Sequence, residues 1–245
     1  VTELLAAGAI GAVREVYCWS MRPVWPQGSP TYPEFVDPIP EGFDWDAWLG
    51  PAPKIPFADK WPETSPIPKM TIENWGGAAV FHPFNFRGWT AFGTGALGDM
   101  GCHWANIPYR ALKLGTPTRV SASTSKFYDV SFPLSSVVTY DFPANDERPG
   151  LRLVWSDGGI KPPTPADWTE EKLPDEGVLY VGDEGVMFND QILNKERAAK
   201  FADVPRTLPR RGDVFAEWFE ACRGGEKAGS NFVDAFPVLE FVLLG

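Results

Sequence analysis

Residues 22–68 carry proline so densely, and apolar residues with so little period, that no long regular element fits there. Proline has no N–H to give to a helix or a sheet ladder. A structureless stretch of this length inside a compact domain is either functional or disordered. Trp25, Trp45, Trp48, Trp61 and Trp75 argue for order, because indoles of this number can bury enough surface to offset the entropy of fixing the chain. We therefore expect a long arm packed by its own aromatic side chains. A single helical turn within 43–51 interrupts it, with Asp44 as N-cap. Composition supports that reading: 25 Pro and 24 Gly stand beside 14% aromatic and 44% hydrophobic residues in 245. These figures exclude disorder, the missing glycine period excludes collagen, and the length suits one large domain or two small ones.

The net charge is −10. A chain this acidic repels phosphate backbones and anionic lipid surfaces, so neither nucleic acid nor membrane is an expected partner. A neutral small molecule such as a sugar is compatible with it. No apolar run approaches the ~20 residues of a membrane span. No signal-peptide pattern stands at Val1, which leaves a cytoplasmic or periplasmic setting open. Cys18, Cys102 and Cys222 are far apart and form no CxxC pair, so they read as inert thiols rather than a disulfide or metal framework. With only His82 and His103 in the chain, a zinc site is not expected.

The opening TELLAA followed by Gly8 reads as the last turns of a helix closed by glycine, so the chain is expected to be a domain fragment. Residues 12–20 alternate as a strand. Residues 95–114 place Leu97, Met100, Trp104, Ile107, Ala111 and Leu114 at helical spacing, with Gly115 beyond the end and Pro108 marking a kink or a nearby break. Gly98 and Gly101 inside that helix imply a close approach by something else. Strands follow at 119–127, 135–142, 151–155, 178–181 and 185–188, joined by short loops in the manner of an antiparallel sheet with one covered face. The basic cluster at 206–211 reads as ion-pairing or capping the next helix, with a flexible connection over 197–211 as a further reading. Two helices at 213–222 and 232–244, expected to pair, close an α+β order.

The densest chemical signal is Gly93-Thr94-Gly95-Ala96-Leu97-Gly98-Asp99-Met100-Gly101-Cys102-His103. Asp99 and His103 are i and i+4, hence on one helix face. A carboxylate one turn from an imidazole is the pairing a general acid/base uses. The small residues at 95, 96, 98 and 101 leave room for a ligand. The plain alternative keeps Asp99 as a cap and His103 as a satisfied core histidine, and spacing alone leaves both open. Acidic groups at 141–147 and 167–176 lie in proline-rich loops and read as solvated surface rather than a glycosidase pair. No serine has a nucleophile-elbow context.

Several motifs in order carry a resemblance. They are Gly8-Ala9-Ile10-Gly11 before a strand, Trp45-Asp46 with Trp48-Leu49-Gly50-Pro51, and Phe86-Arg87-Gly88-Trp89. The 93–103 motif, Phe215-Ala216-Glu217-Trp218 and Ser230-Asn231-Phe232 complete the set. Together they resemble the C-terminal domain of Gfo/Idh/MocA oxidoreductases over nearly the whole of 1–245. The resemblance implies an open, mainly antiparallel β-sheet with helices on one face, the other face serving homo-oligomerisation. It implies oxidation or reduction of a sugar or cyclitol hydroxyl with NAD or NADP in the intact enzyme. Asp99 and His103 match the family's acid/base pair. Asn106 stands where many members have a further Asp, and Arg87, Trp89, Trp19 and Arg22 resemble substrate-side positions. Packing remains the plain alternative for the tryptophans, and ion pairing for the arginines. The family's glycine-rich dinucleotide fingerprint and Glu-Lys-Pro lysine are not found in this sequence. Residues 93–98 and 182–185 do not follow a first strand in a βαβ unit. The expectation is therefore the substrate half of such an enzyme without its Rossmann domain, binding no cofactor and redox-inactive alone. A stand-alone carbohydrate-binding or scaffold module, and a cofactor-independent lyase or hydratase on keto-sugars, are the alternatives.

Overall fold

Val13, Val16 and Cys18 point one way along β1 (Val13–Trp19), while Tyr17 and Trp19 point the other, and both sets are covered. β1 is thus an interior strand packed on two sides. A computed structural model describes residues 1–65 and 76–245. Trp75 and the end of the expected arm at 66–68 lie outside the described residues. The elements run α1 (Thr2–Ala6), β1, α2 (Trp45–Leu49), α3 (Gly95–Trp104), α4 (Asn106–Ala111), β2 (Arg119–Thr124), β3 (Ser136–Phe142) and β4 (Leu151–Ser156). Then follow β5 (Gly177–Gly182), β6 (Val186–Phe188), β7 (Gln191–Ile192), α5 (Lys195–Lys200), α6 (Val214–Cys222) and α7 (Phe232–Leu244). The fold is α+β, built on an open seven-stranded sheet in the order β2-β3-β4-β1-β5-β6-β7. Every neighbouring pair is antiparallel except β1 and β4, which run parallel with Cys18 opposite Trp155.

Helices lie on one face. Leu97 and Met100 of α3, and Val238, Phe241 and Val242 of α7, close over Val138, Tyr140, Leu153 and Trp155. On the other face Trp168 and Leu173 cover Trp19 and Leu179, while the β2–β4 part is polar, with Asp141 paired to Arg119 and Arg152. The arm has its own core. Trp45, Leu49, Val80, Phe81 and Trp89 are buried together, and Asp44 caps α2 by accepting from the Ala47 N–H, as expected. Each such ring, once fully buried, contributes on the order of 1.5–3 kcal/mol. Gly88 lies where the arm doubles back, and a β-carbon there would sit 1.9 Å from the Pro26 carbonyl oxygen.

The break expected near Pro108 is present, and three other expectations are corrected. The 95–114 helix is two helices broken at Ala105, because Pro108 has no N–H for the Trp104 carbonyl. That carbonyl accepts from the Cys18 thiol at 3.6 Å instead. The second helix stops at Ala111 and Lys113 takes the left-handed conformation (φ 47°), so the turn expected at Gly115 comes earlier. The 197–211 connection is held in place. α5 is capped by Asn194, Arg197 donates to the Gly8 and Ala9 carbonyls, and Arg210 and Arg211 pair with Glu3 and Glu217. Finally, α7 packs against α3 rather than pairing with α6.

The Arg210 side chain, and after it the Leu208 N–H, hold the Glu3 carboxyl down at about 2 from its ordinary 4.5. A depressed carboxylate stabilises the fold above its unfolded value and loses that effect as pH falls through the folded one. The stability gap between wild type and Glu3→Gln, read from urea midpoints, should be full at neutral pH. It should shrink below pH 4.5 and close near pH 2.

Candidate functional site

α3 opens on Gly95, whose φ of +64° suits glycine, and Phe132 lies where its β-carbon would be. Gly98 is equally constrained, since Thr94 fills the space beside it, and Gly101 lets Val242 of α7 come close. The close approach expected at the interior glycines is therefore made by the protein's own side chains. With Leu97, Met100 and Trp104 in the core, Asp99 and His103 are left on the outer side of the helix.

The two do not touch. The His103 ring is exposed, and among the described residues no hydrogen bond joins it to Asp99. Asp99 is half-buried and pairs with Arg87, whose Nη1 lies 3.3 Å from Oδ1 and 3.4 Å from Oδ2. The Arg87 guanidinium is clamped in turn by aromatic rings, 4.6 Å from the centroid of Phe84 and 5.5 Å from that of Trp25. Arg87 thus reaches the acid/base candidates from the arm. Asn106 begins α4 one turn beyond His103 and is half-buried. Between them, burial first and then the Asp99 charge push the Cys102 thiol up, which keeps it an unreactive neighbour.

The remaining candidates lie elsewhere. Trp89 is fully buried in the arm core, with its indole N–H on the Val80 carbonyl. Trp19 is 1% exposed on the opposite sheet face, donating to the Pro174 carbonyl. Neither indole offers surface to a ligand, and both are corrected to packing roles. Arg22 sits with Ser20 on the Glu176 carboxylate, each at 2.9 Å, an ion pair that anchors the start of the arm.

A cavity of about 300 Å³ lies at the other end of α3, lined by Gly95, Ser136, Asp157, Gln27, Phe127 and Val242 among others. Sequence patterns did not reveal it, although an acid directly after the apolar strand β4 is the kind of signal that would. Burial pushes the Asp157 carboxyl up against the opposing pull of its donors, the Trp155 indole and the Ser136 hydroxyl and N–H. Those three donors tie the ends of β3 and β4 together, so the carboxylate is engaged by the fold. Asp99 and His103 do not line this cavity.

No family model matches the sequence, and no curated protein matches it. Among solved structures the chain is similar to "a putative oxidoreductase from Bacteroides fragilis", with a TM-score of 0.39 and 10% identity. The match takes in 98% of this chain and 56% of that one, so the chain spans just over half the length of that protein. A likeness this distant bears on neither substrate nor cofactor.

The Arg87–Asp99 pair is about one-third exposed on the arginine side, so solvent screens it. A double-mutant cycle with Arg87→Ala and Asp99→Asn, followed by urea denaturation, should return a coupling of ~0.5–1 kcal/mol. Arg87→Ala alone should cost more than Asp99→Asn, because it also removes the packing on Phe84.

Proposed function

We propose that this chain is the substrate-binding, acid/base half of an NAD(P)-dependent oxidoreductase acting on a neutral sugar or cyclitol hydroxyl. The observation that carries the reading is an exposed imidazole, His103, one helical turn from a carboxylate, Asp99, that an arm residue holds in place. His103 takes the hydroxyl proton in the oxidative direction and returns it in the reductive one. In this reading Asp99, one helical turn away, offsets the imidazolium charge that forms, and its ion pair with Arg87 holds that carboxylate. Asn106 is placed to accept or donate at a second hydroxyl.

The proposal assigns no dinucleotide site to this chain. The glycines of α3 face Phe132, Thr94 and Val242, and residues 182–185 close the β5–β6 hairpin through a Gly182 N–H to Gly185 carbonyl bond. Residues 93–98 follow the arm rather than a strand, and residues 182–185 join two antiparallel strands, so neither has the strand–turn–helix context of a dinucleotide cradle and no step through the nicotinamide is assigned to these residues. A separate dinucleotide-binding unit, of Rossmann type, is part of the proposal.

The surface of α6 and α7 supports a second unit. Ten large apolar side chains there are 44–94% exposed, with Phe232, Phe215 and Trp218 prominent. At ~200 Å² per aromatic ring the five aromatics alone leave on the order of 650 Å² uncovered, beyond the largest patch of an ordinary monomer. α1 is tied by Glu3 to Arg210 and Leu208, just ahead of α6 in the chain. Homo-oligomerisation through the polar face of β2–β4 remains a proposal beside it.

The 245-residue chain alone, given NAD or NADP with glucose or myo-inositol, should show no nicotinamide absorbance change. Paired with a dinucleotide-binding unit it should turn over, and His103→Ala should lower kcat by about 10²–10⁴-fold with dinucleotide affinity unchanged. Turnover by the chain alone, or an unaffected His103→Ala enzyme, sinks the reading.

A further inference from the structure

The arm core is not sealed on all sides. Phe43, Trp48 and Phe57 floor a shallow depression of about 290 Å³, and Asp59 and His82 line it with them. The floor is rigid. Trp45 and Trp48 stack at 4.7 Å between centroids and 16° between planes, with Phe57 and Phe81 packed edge-on or tilted against Trp45. Phe43 leaves 40% of its surface in solvent above them. An exposed aromatic floor of this size is costly unless something uses it.

The polar residues are fixed by their backbones and left free at their tips. Asp59 donates its N–H to the Asp37 carboxylate at 2.8 Å and accepts the Val80 N–H on its carbonyl at 2.9 Å. Its own carboxylate has no protein partner among the described residues. His82 accepts the Phe84 N–H on Nδ1 at 3.1 Å, so the neutral ring carries its proton on Nε2 and presents a donor. One group here only accepts and the other donates, both beside a flat apolar surface.

That combination selects a ligand. A pyranose ring has a face of C–H bonds that lies on aromatic rings, and edge hydroxyls that both donate and accept. One hydroxyl can give its proton to Asp59 while another accepts from His82. A quaternary ammonium would use the rings and the carboxylate but would waste the imidazole N–H. A charged sugar acid is repelled by Asp59 and by the net charge of −10. We propose that this depression is a binding subsite for a neutral pyranose, built by the arm and made of residues other than those of the Asp99 and His103 site. The proposal shares a substrate class with the function above but does not rest on it.

The test is an NMR titration of the 245-residue chain with methyl β-D-glucopyranoside, with tetramethylammonium chloride as the competing probe. No cofactor is present, so the outcome is independent of the turnover experiment. Saturable shifts are expected at the Phe43, Asp59 and His82 amides and at the Trp48 indole. His82→Ala and Asp59→Asn should each weaken binding about five-fold, the effect of one lost hydrogen bond. Both side chains are solvent-exposed, and an unchanged spectrum elsewhere shows that the variants keep the fold. The proposal is overturned if the sugar shifts only residues of α3, if tetramethylammonium saturates the site at lower concentration, or if both variants bind as wild type.

Discussion

β1 is covered on both faces, by the helices over Val16 and Cys18 and by the 161–176 segment over Trp19. A one-residue slip would exchange those sets and expose each to the wrong layer, so its register is fixed twice. It pairs in parallel with β4 on one edge and antiparallel with β5 on the other, and so joins the two halves of the sheet. Where it ends, Ser20 and Arg22 share the Glu176 carboxylate, which sets the direction in which the arm departs. The arm folds back through Gly88 against Pro26, brings Arg87 to Asp99 and delivers the chain to Gly95. The position of α3, and of everything proposed for it, follows from that one strand.

The strands were legible in sequence because alternation survives burial on a single face. β3 buries Ser136, Val138, Tyr140 and Phe142 and leaves the residues between them half-covered. The break at Ala105 was half-legible. Pro108 announced a kink or a break, but only the fold supplies the Cys18 thiol that donates to the orphaned Trp104 carbonyl and lets a clean break stand. α5 was missed because six residues with no buried member carry no apolar period, and only the Asn194 cap marks its start. Trp19 and Trp89 illustrate the limit for sites. Residue type and motif position suggest a sugar platform, whereas which side of a sheet a ring faces is decided by pairing partners far away in sequence.

Arg87 changes how the acid/base pair is understood. Spacing placed Asp99 beside His103 and suggested that the carboxylate orients the ring. Geometry gives Asp99 a permanent cation as partner instead, and an imidazole competes with a guanidinium only while it is itself charged. Among the described residues the carboxylate therefore makes its ion pair with Arg87 and no hydrogen bond to His103. Its placement depends on the arm, since Phe84 and Trp25 hold Arg87. Arm and helix then form one unit, and a disturbance in the aromatic clamp would reach Asp99 through Arg87.

The aromatic surplus divides into two populations that obey different physics. Trp45 and Trp89 are spent inside the arm at 6% and 0% exposure, where they replace the regular hydrogen bonding that proline forbids. Phe232 is 94% exposed, and Phe215 and Trp218 are more than half exposed, on helices that already satisfy their own backbones. Rings of the first kind stabilise this chain. Rings of the second kind contribute nothing to it while they face water, and α6 and α7 would form as readily with polar residues on that side. Their exposure sets this face apart from the arm, and it follows the Glu3–Arg210 ion pair in the chain.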